Sequence, residues 1–166
     1  MEDQSFLETL CNLEIPVTVR FSPDQRRVLF STQLTWGHKK GSHAVSTIWL
    51  ATTNVQRSAQ RIICGTFNDY APAWNPNGNS IAFISDRAQV GRNWALYMLA
   101  LHDEAQPVLL TPPDNQSPIT AFAFSPDGHS IASITLDEKS TEEKWAADNN
   151  NEDARVWGKA WSYARL

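Results

Sequence analysis

Thiol chemistry is scarce in this sequence. Cys11 and Cys64 are its only cysteines, and they form neither a CxxC pair nor a metal-ligand spacing. Two free thiols in a reducing compartment are the expectation. No apolar run approaches the roughly 20 residues of a membrane-spanning helix. The N-terminus, Met-Glu-Asp-Gln-Ser, lacks the cationic and apolar regions of a signal peptide. These absences predict a cytoplasmic chain with no membrane partner. Positive charge is outnumbered, 14 Lys and Arg against 18 Asp and Glu, which argues against a nucleic-acid partner. Lys39-Lys40 is the one lysine pair and reads as part of a solvated loop.

Catalytic signatures are missing too. There is no G-x-S-x-G nucleophile elbow, since Gly41-Ser42 runs on into His43-Ala44-Val45, and no glycine-rich phosphate loop. His38 and His43 share a loop with Trp36, but a metal site would need third and fourth ligands at proper geometry. His102 stands apart from them, and His129 follows a turn and is expected at the surface. No catalytic, cofactor-binding or metal-binding residue is predicted.

What the chain has is a repeat. Apolar residues make up 42% of it, with seven Trp, as suits a globular protein with an aromatic core. The stretch Ala121 to Thr135 reads as two strands around a tight corner, and it recurs at Pro23, Pro76 and Pro126, spaced 53 and 50 residues apart. Two residues before each proline stands an aromatic: Phe21, Trp74, Phe124. One residue after it stands Asp24, Asn77 or Asp127, and five after it Val28, Ile81 or Ile131. Proline presets the second position of a type I turn, Asp or Asn suits the third, and glycine takes a left-handed conformation next. Gly78 and Gly128 fill that last place, but the first repeat has Gln25, where strain or a different turn is expected.

A period in this range with several strands per unit is the pattern of a β-propeller. The predicted fold is all-β: a partial β-propeller of about two and a half four-stranded antiparallel blades. Residues 1–16 form a lead-in, blade one covers 17–65, blade two 70–111 and a partial blade three 119–166. The expected third and fourth strands are Ser46 to Ala51 and Gln60 to Cys64 in blade one, and Trp94 to Leu101 and Pro107 to Thr111 in blade two. Trp161 to Leu166 reads as a further strand in blade three, and Leu34 to Val45 and Asp86 to Asn93 as polar loops. In Ile81-Ala82-Phe83-Ile84 both alternating faces are apolar, as expected of a sheet covered on both sides. Propellers close with about four to eight blades, and bare sheet faces are an aggregation hazard. The chain is therefore expected to be a piece of a longer polypeptide.

Residues Asp137 to Asp153 hold the acidic cluster, which reads as a solvated loop. Its Glu142 and Glu143 are candidates for contact with a neighbouring domain or a cationic peptide terminus. Arg87, at a strand end, either forms a structural ion pair or faces the central channel.

The three corners resemble the propeller repeat shared by the translocation protein TolB and the prolyl oligopeptidase family. Asn68 to Trp74, Ile81 to Arg87 and Asp153 to Gly158 look like the acylaminoacyl peptidase and dipeptidyl peptidase V branch. The resemblance implies an N-terminal propeller joined to a C-terminal α/β-hydrolase with a Ser-Asp-His triad, the propeller restricting access to short peptide substrates. Serine attack, a histidine base and an oxyanion hole belong to that other domain. No residue here matches the triad motifs, so the chain would be gate and scaffold, inactive alone. The alternative is a non-enzymatic TolB-like module for protein–protein binding; a TolB-type protein would need an export signal.

Overall fold

A computed structural model describes residues 12–34, 39–40, 43–63, 65–102, 104–112, 117–136 and 159–165; of these, 39–40, 43, 136 and 159–165 are described by backbone alone. Three antiparallel sheets follow one another along the chain. The first has the order β1 (Glu14–Phe21), β2 (Arg27–Leu34), β5 (Ser46–Thr52), β6 (Gln60–Ile63). The second comprises β7 (Asp69–Trp74), β8 (Ser80–Gln89), β9 (Asn93–Ala100) and β10 (Val108–Leu109), each beside the next. The third comprises β11 (Ile119–Phe124), β12 (Ser130–Leu136) and β13 (Lys159–Arg165). No helix occurs among the described residues. This is an all-β partial propeller: two four-stranded blades and a third with three described strands.

The proline corners are superimposable in their bonding. In each, the residue before proline donates its N–H to the start of the returning strand: Ser22 to Arg27 O at 2.9 Å, Asn75 to Ser80 O at 2.9 Å, Ser125 to Ser130 O at 2.8 Å. Each also accepts from the residue three further on, Gln25, Gly78 or Gly128. That residue is left-handed in all three, with φ of 58° at Gln25, 75° at Gly78 and 73° at Gly128. The corner imposes its geometry on glutamine, and the strained version of the first turn is the observed one. A side-chain-bearing residue there costs about 1–2 kcal/mol.

Register defines two faces for each blade, since residues opposite one another in an antiparallel pair share a face. The first face of blade two carries Trp74, Ile81, Phe83, Tyr97 and Leu99. Against it lies the second face of blade one, with Leu29, Ile48 and Ile63, forming one buried cluster. The second face of blade two, with Ala82, Ile84 and Leu96, meets Ile119, Phe122, Phe124 and Ile131 on the first face of blade three. The run Ile81 to Ile84 is wholly buried because it has a sheet on either side.

The strands differ from the sequence expectation at three places, and at the first and last of these the physical cause is visible. The first strand begins at Glu14, inside the expected lead-in. Glu14 is anchored there by the Thr32 hydroxyl at 2.5 Å and by Arg61 at 3.0 Å. The expected loop from Leu34 to Val45 holds a short ladder, β3 (Lys39–Lys40) with β4 (His43–Ala44). The expected polar loop from Asp86 to Asn93 is mostly strand, because β8 continues to Gln89 and pairs with Asn93. Asp86 is fully buried, its carboxylate accepting the backbone N–H groups of Asn68 at 2.9 Å and Gly91 at 2.8 Å. An acid that caps two backbone donors reads as polar in sequence and behaves as part of the sheet.

Candidate functional site

Of the three residues singled out as possible contacts, Glu142 and Glu143 lie outside the described residues. Arg87 is described in full. It follows Ser85 and Asp86 on β8, at the end where β7 begins with Asp69. One guanidinium nitrogen meets Asp69 Oδ1 at 2.8 Å, and Nε donates to Ser85 Oγ at 3.0 Å. The charged group lies over three rings, 5.0 Å from the centroids of Phe83 and Tyr97 and 5.4 Å from that of Phe67. Its partner Asp69 is completely buried, while the Arg87 side chain is 17% exposed.

This arrangement fastens β7 to β8 within one blade. Planar guanidinium suits both jobs, forking to oxygen acceptors and stacking on aromatic faces. Burial pushes the Asp69 carboxyl above its ordinary value, with Ser85 and Arg87 pulling it back. Its second oxygen has no hydrogen-bond partner among the described residues. The Asp69 carbonyl accepts the Ser46 hydroxyl at 2.5 Å, and Ser46 N donates to Phe67 O at 3.1 Å, so the cluster also ties blade two to blade one. To reach an incoming peptide carboxylate Arg87 would have to leave Asp69 with an unpaired buried charge, which is costly.

A second set of ties sits at the opposite, corner end of the blades. Arg27 donates to Gly78 O at 2.6 Å and lies over the Trp74 ring at 4.9 Å. Trp74 Nε1 donates to Arg20 O at 3.2 Å. Asn75 makes the equivalent link onward, donating from Nδ2 to Gly128 O at 3.2 Å. The sequence alone did not show this chain of corner-to-corner bonds. The signal was Asn75 standing where the other two corners have serine, which bonds within its own turn instead.

A cleft of about 240 Å³ runs between the blades, lined by Leu50, Gln60, Ile62, Leu101, His102 and Glu104 among others. It falls below the roughly 300–1,000 Å³ usual for small-molecule sites. No group of three His, Cys, Asp or Glu placed to hold a metal ion occurs among the described residues.

Fold and corner together define the class, a β-propeller, and comparison with solved structures agrees. The chain is similar to the Pyrococcus horikoshii acylaminoacyl peptidase at 13% identity and a TM-score of 0.58, over 81% of this chain and 19% of that one. It is similar to a Mycobacterium tuberculosis puromycin-hydrolyzing peptidase at 18% identity and 0.54, over 73% of this chain and 19% of that one. It is similar to the AtxE2 isopeptidase, solved with astexin bound, at 14% identity and 0.60, over 94% of this chain and 29% of that one. At such identities the likeness is one of fold, and the chain spans less than a third of each protein's length. No family model and no curated protein matches the chain.

Proposed function

We propose that this chain supplies part of the propeller of a serine peptidase of the prolyl oligopeptidase family, of acylaminoacyl or dipeptidyl peptidase type. It acts there as substrate gate and scaffold, joined to a C-terminal α/β-hydrolase domain that carries the triad. The observation behind this reading is the shared fold with three proteins that are peptidases by name, each much longer than this chain. The Asp69–Arg87 clamp fits a scaffold, because it spends its charges on holding blades together. Glu142 and Glu143 are the residues assigned to contact with the hydrolase or with a peptide N-terminus, and the cytoplasm is the assigned location.

Two experiments test the reading. Sequencing genomic DNA beyond the codon for Leu166 is expected to show more proline corners and then a G-x-S-x-G elbow. Corners followed by a stop would favour the protein-binding module. The purified 166-residue chain is expected not to hydrolyse acyl-peptide or dipeptidyl chromogenic substrates, and turnover by clean protein would overturn its assignment as a non-catalytic part.

A further inference from the structure

Asn77-Gly78, in the second corner, is the one Asn-Gly pair in the sequence. Asparagine is at its most labile before glycine, which has no side chain to keep its nitrogen from the neighbouring carboxamide. The chemistry needs only water. The Gly78 nitrogen gives up its proton to solvent and bonds to Cγ of Asn77. The Cγ–Nδ2 bond breaks, and the amide group takes up a proton and leaves as ammonia. Water then opens the cyclic imide. Breaking the bond from Cγ to the Gly78 nitrogen gives aspartate; breaking the bond from the Asn77 carbonyl carbon to that nitrogen gives isoaspartate.

The folded corner commits both reacting groups elsewhere. Asn77 is exposed, but Gly78 is buried. Gly78 N donates to Asn75 O at 2.8 Å, and Asn77 Oδ1 accepts the N–H of Asn79 at 2.8 Å. Ring closure turns the peptide plane between Asn77 and Gly78, which takes the Gly78 nitrogen away from Asn75 O. It also swings the Gly78 carbonyl, whose oxygen is held by Arg27 of blade one at 2.6 Å. Asn75 is held in turn by blade three, through Nδ2 to Gly128 O at 3.2 Å, while its Oδ1 accepts the Asn77 N–H at 3.0 Å. Neighbours on both sides therefore keep the reactive pair closed. The other corners show which product fits. Asp24 and Asp127 stand at this place, and their carboxylates accept the N–H two residues on, at 3.1 and 3.0 Å. Aspartate at position 77 suits the same turn, whereas isoaspartate adds a methylene to the backbone and does not.

We propose that Asn77 is a site of spontaneous modification, converted to aspartate and isoaspartate at a rate set by release of the second corner from blades one and three. Chemistry slower than opening and closing tracks the population of the open form. A chain that has stood open thus acquires a lasting mark, and the isoaspartate fraction cannot re-form the corner. The proposal rests on the corner bonds and not on the peptidase reading, so each stands or falls without the other.

The test is peptide mapping by mass spectrometry after incubation of the purified chain at neutral pH. Unfolded in guanidinium chloride, the chain is expected to convert Asn77 at least about tenfold faster than when folded. Arg27→Ala removes the bond from blade one. Asn75→Ser removes the bond to blade three and supplies the hydroxyl that the other two corners use. Each variant is expected to convert Asn77 several-fold faster than the folded wild type. Each rate is compared with the unfolded rate multiplied by that variant's unfolded fraction, taken from a guanidinium titration. A rate above that product supports release of the corner, and a rate equal to it reflects general unfolding and would overturn the proposal. A folded wild-type chain that converts as fast as the unfolded one would overturn it too, as would variants no faster than the wild type.

Discussion

Blades one and two carry the same pattern of residues and differ in what surrounds them. Phe30 and Phe83 occupy one repeat position, yet Phe83 is fully buried and Phe30 is half-buried. Each blade has an acid on its first strand that meets an arginine lying over the first-face aromatics. In blade two that pair is Asp69–Arg87, with side chains 0% and 17% exposed; in blade one it is Glu14–Arg61, at 28% and 53%. The aromatic code on a strand states which neighbour the sheet requires, and only the arrival of the neighbour converts it into stability.

The largest expected effect separates the two phenylalanines. Phe83→Ala is expected to cost about 3–5 kcal/mol in urea unfolding, the range for a buried ring. Phe30→Ala is expected to cost about 1 kcal/mol, since the half-buried ring leaves no enclosed cavity when removed. Equal costs would break the comparison.

The ion pairs come next. Asp69→Ala is expected to cost about 3 kcal/mol, because it leaves the Arg87 charge uncompensated among three rings. Glu14→Ala should cost no more than about 1 kcal/mol, as for exposed pairs generally. Chemical denaturation at two salt concentrations checks both, and only the blade-one pair is expected to be salt-sensitive.

The corners sharpen the comparison at a smaller scale. Gln25→Gly is expected to stabilise by about 0.5–1 kcal/mol, with left-handed strain relieved and partly offset by the unfolded-chain entropy of glycine. Gly78→Ala should cost about 1 kcal/mol, since its added methyl meets nothing nearer than Arg27 at 3.8 Å. Gly128→Ala should cost more than Gly78→Ala, because there the methyl runs into Asn75 Oδ1. Thermal melts of the three variants give the order, and a Gly78 variant worse than the Gly128 variant would remove the corner-to-corner link from the account.

Acid sensitivity is the smallest effect. Asp24 and Asp127 are held below their ordinary 3.8, first by the hydroxyls of Ser22 and Ser125 and then by the backbone N–H groups of Arg26 and His129. A lowered value in the fold means a contribution present above pH 3.8 and lost as pH falls further, through the folded value. The Asp24→Asn, Asp127→Asn double variant is therefore expected to lose less stability below that pH than the wild type does. Blade two, with Asn77 at this place, already lacks the dependence. Asp69 has the opposite sign: its value is raised, so its effect on stability becomes less favourable as pH rises above 3.8.

The corners were the most legible part of the sequence, because proline, Asp or Asn and glycine each act locally and at fixed spacing. So was the two-faced character of β8, where Ile81, Ala82, Phe83 and Ile84 leave no polar side. Less legible were the irregularities, where tertiary contact decides. The first strand of each sheet breaks register before its corner, at Val17, at Ala71-Pro72 and at Thr120. Ala71 adopts a φ of 51° in doing so, and nothing in its identity announces that. Asp86 read as loop because its role depends on backbone donors from two separate turns. The burial of Arg87 was open in sequence for the same reason: its carboxylate lies on a different strand, 18 residues away.

The central claim is that successive sheets stack, the second face of one upon the first face of the next. Nuclear Overhauser spectroscopy on a chain with labelled Ile and Leu methyls addresses it directly. Cross-peaks from Leu29 or Ile48 methyls to the Phe83 or Tyr97 ring are the predicted result. Well-resolved contacts within each sheet, with none between blade one and those rings, would contradict it.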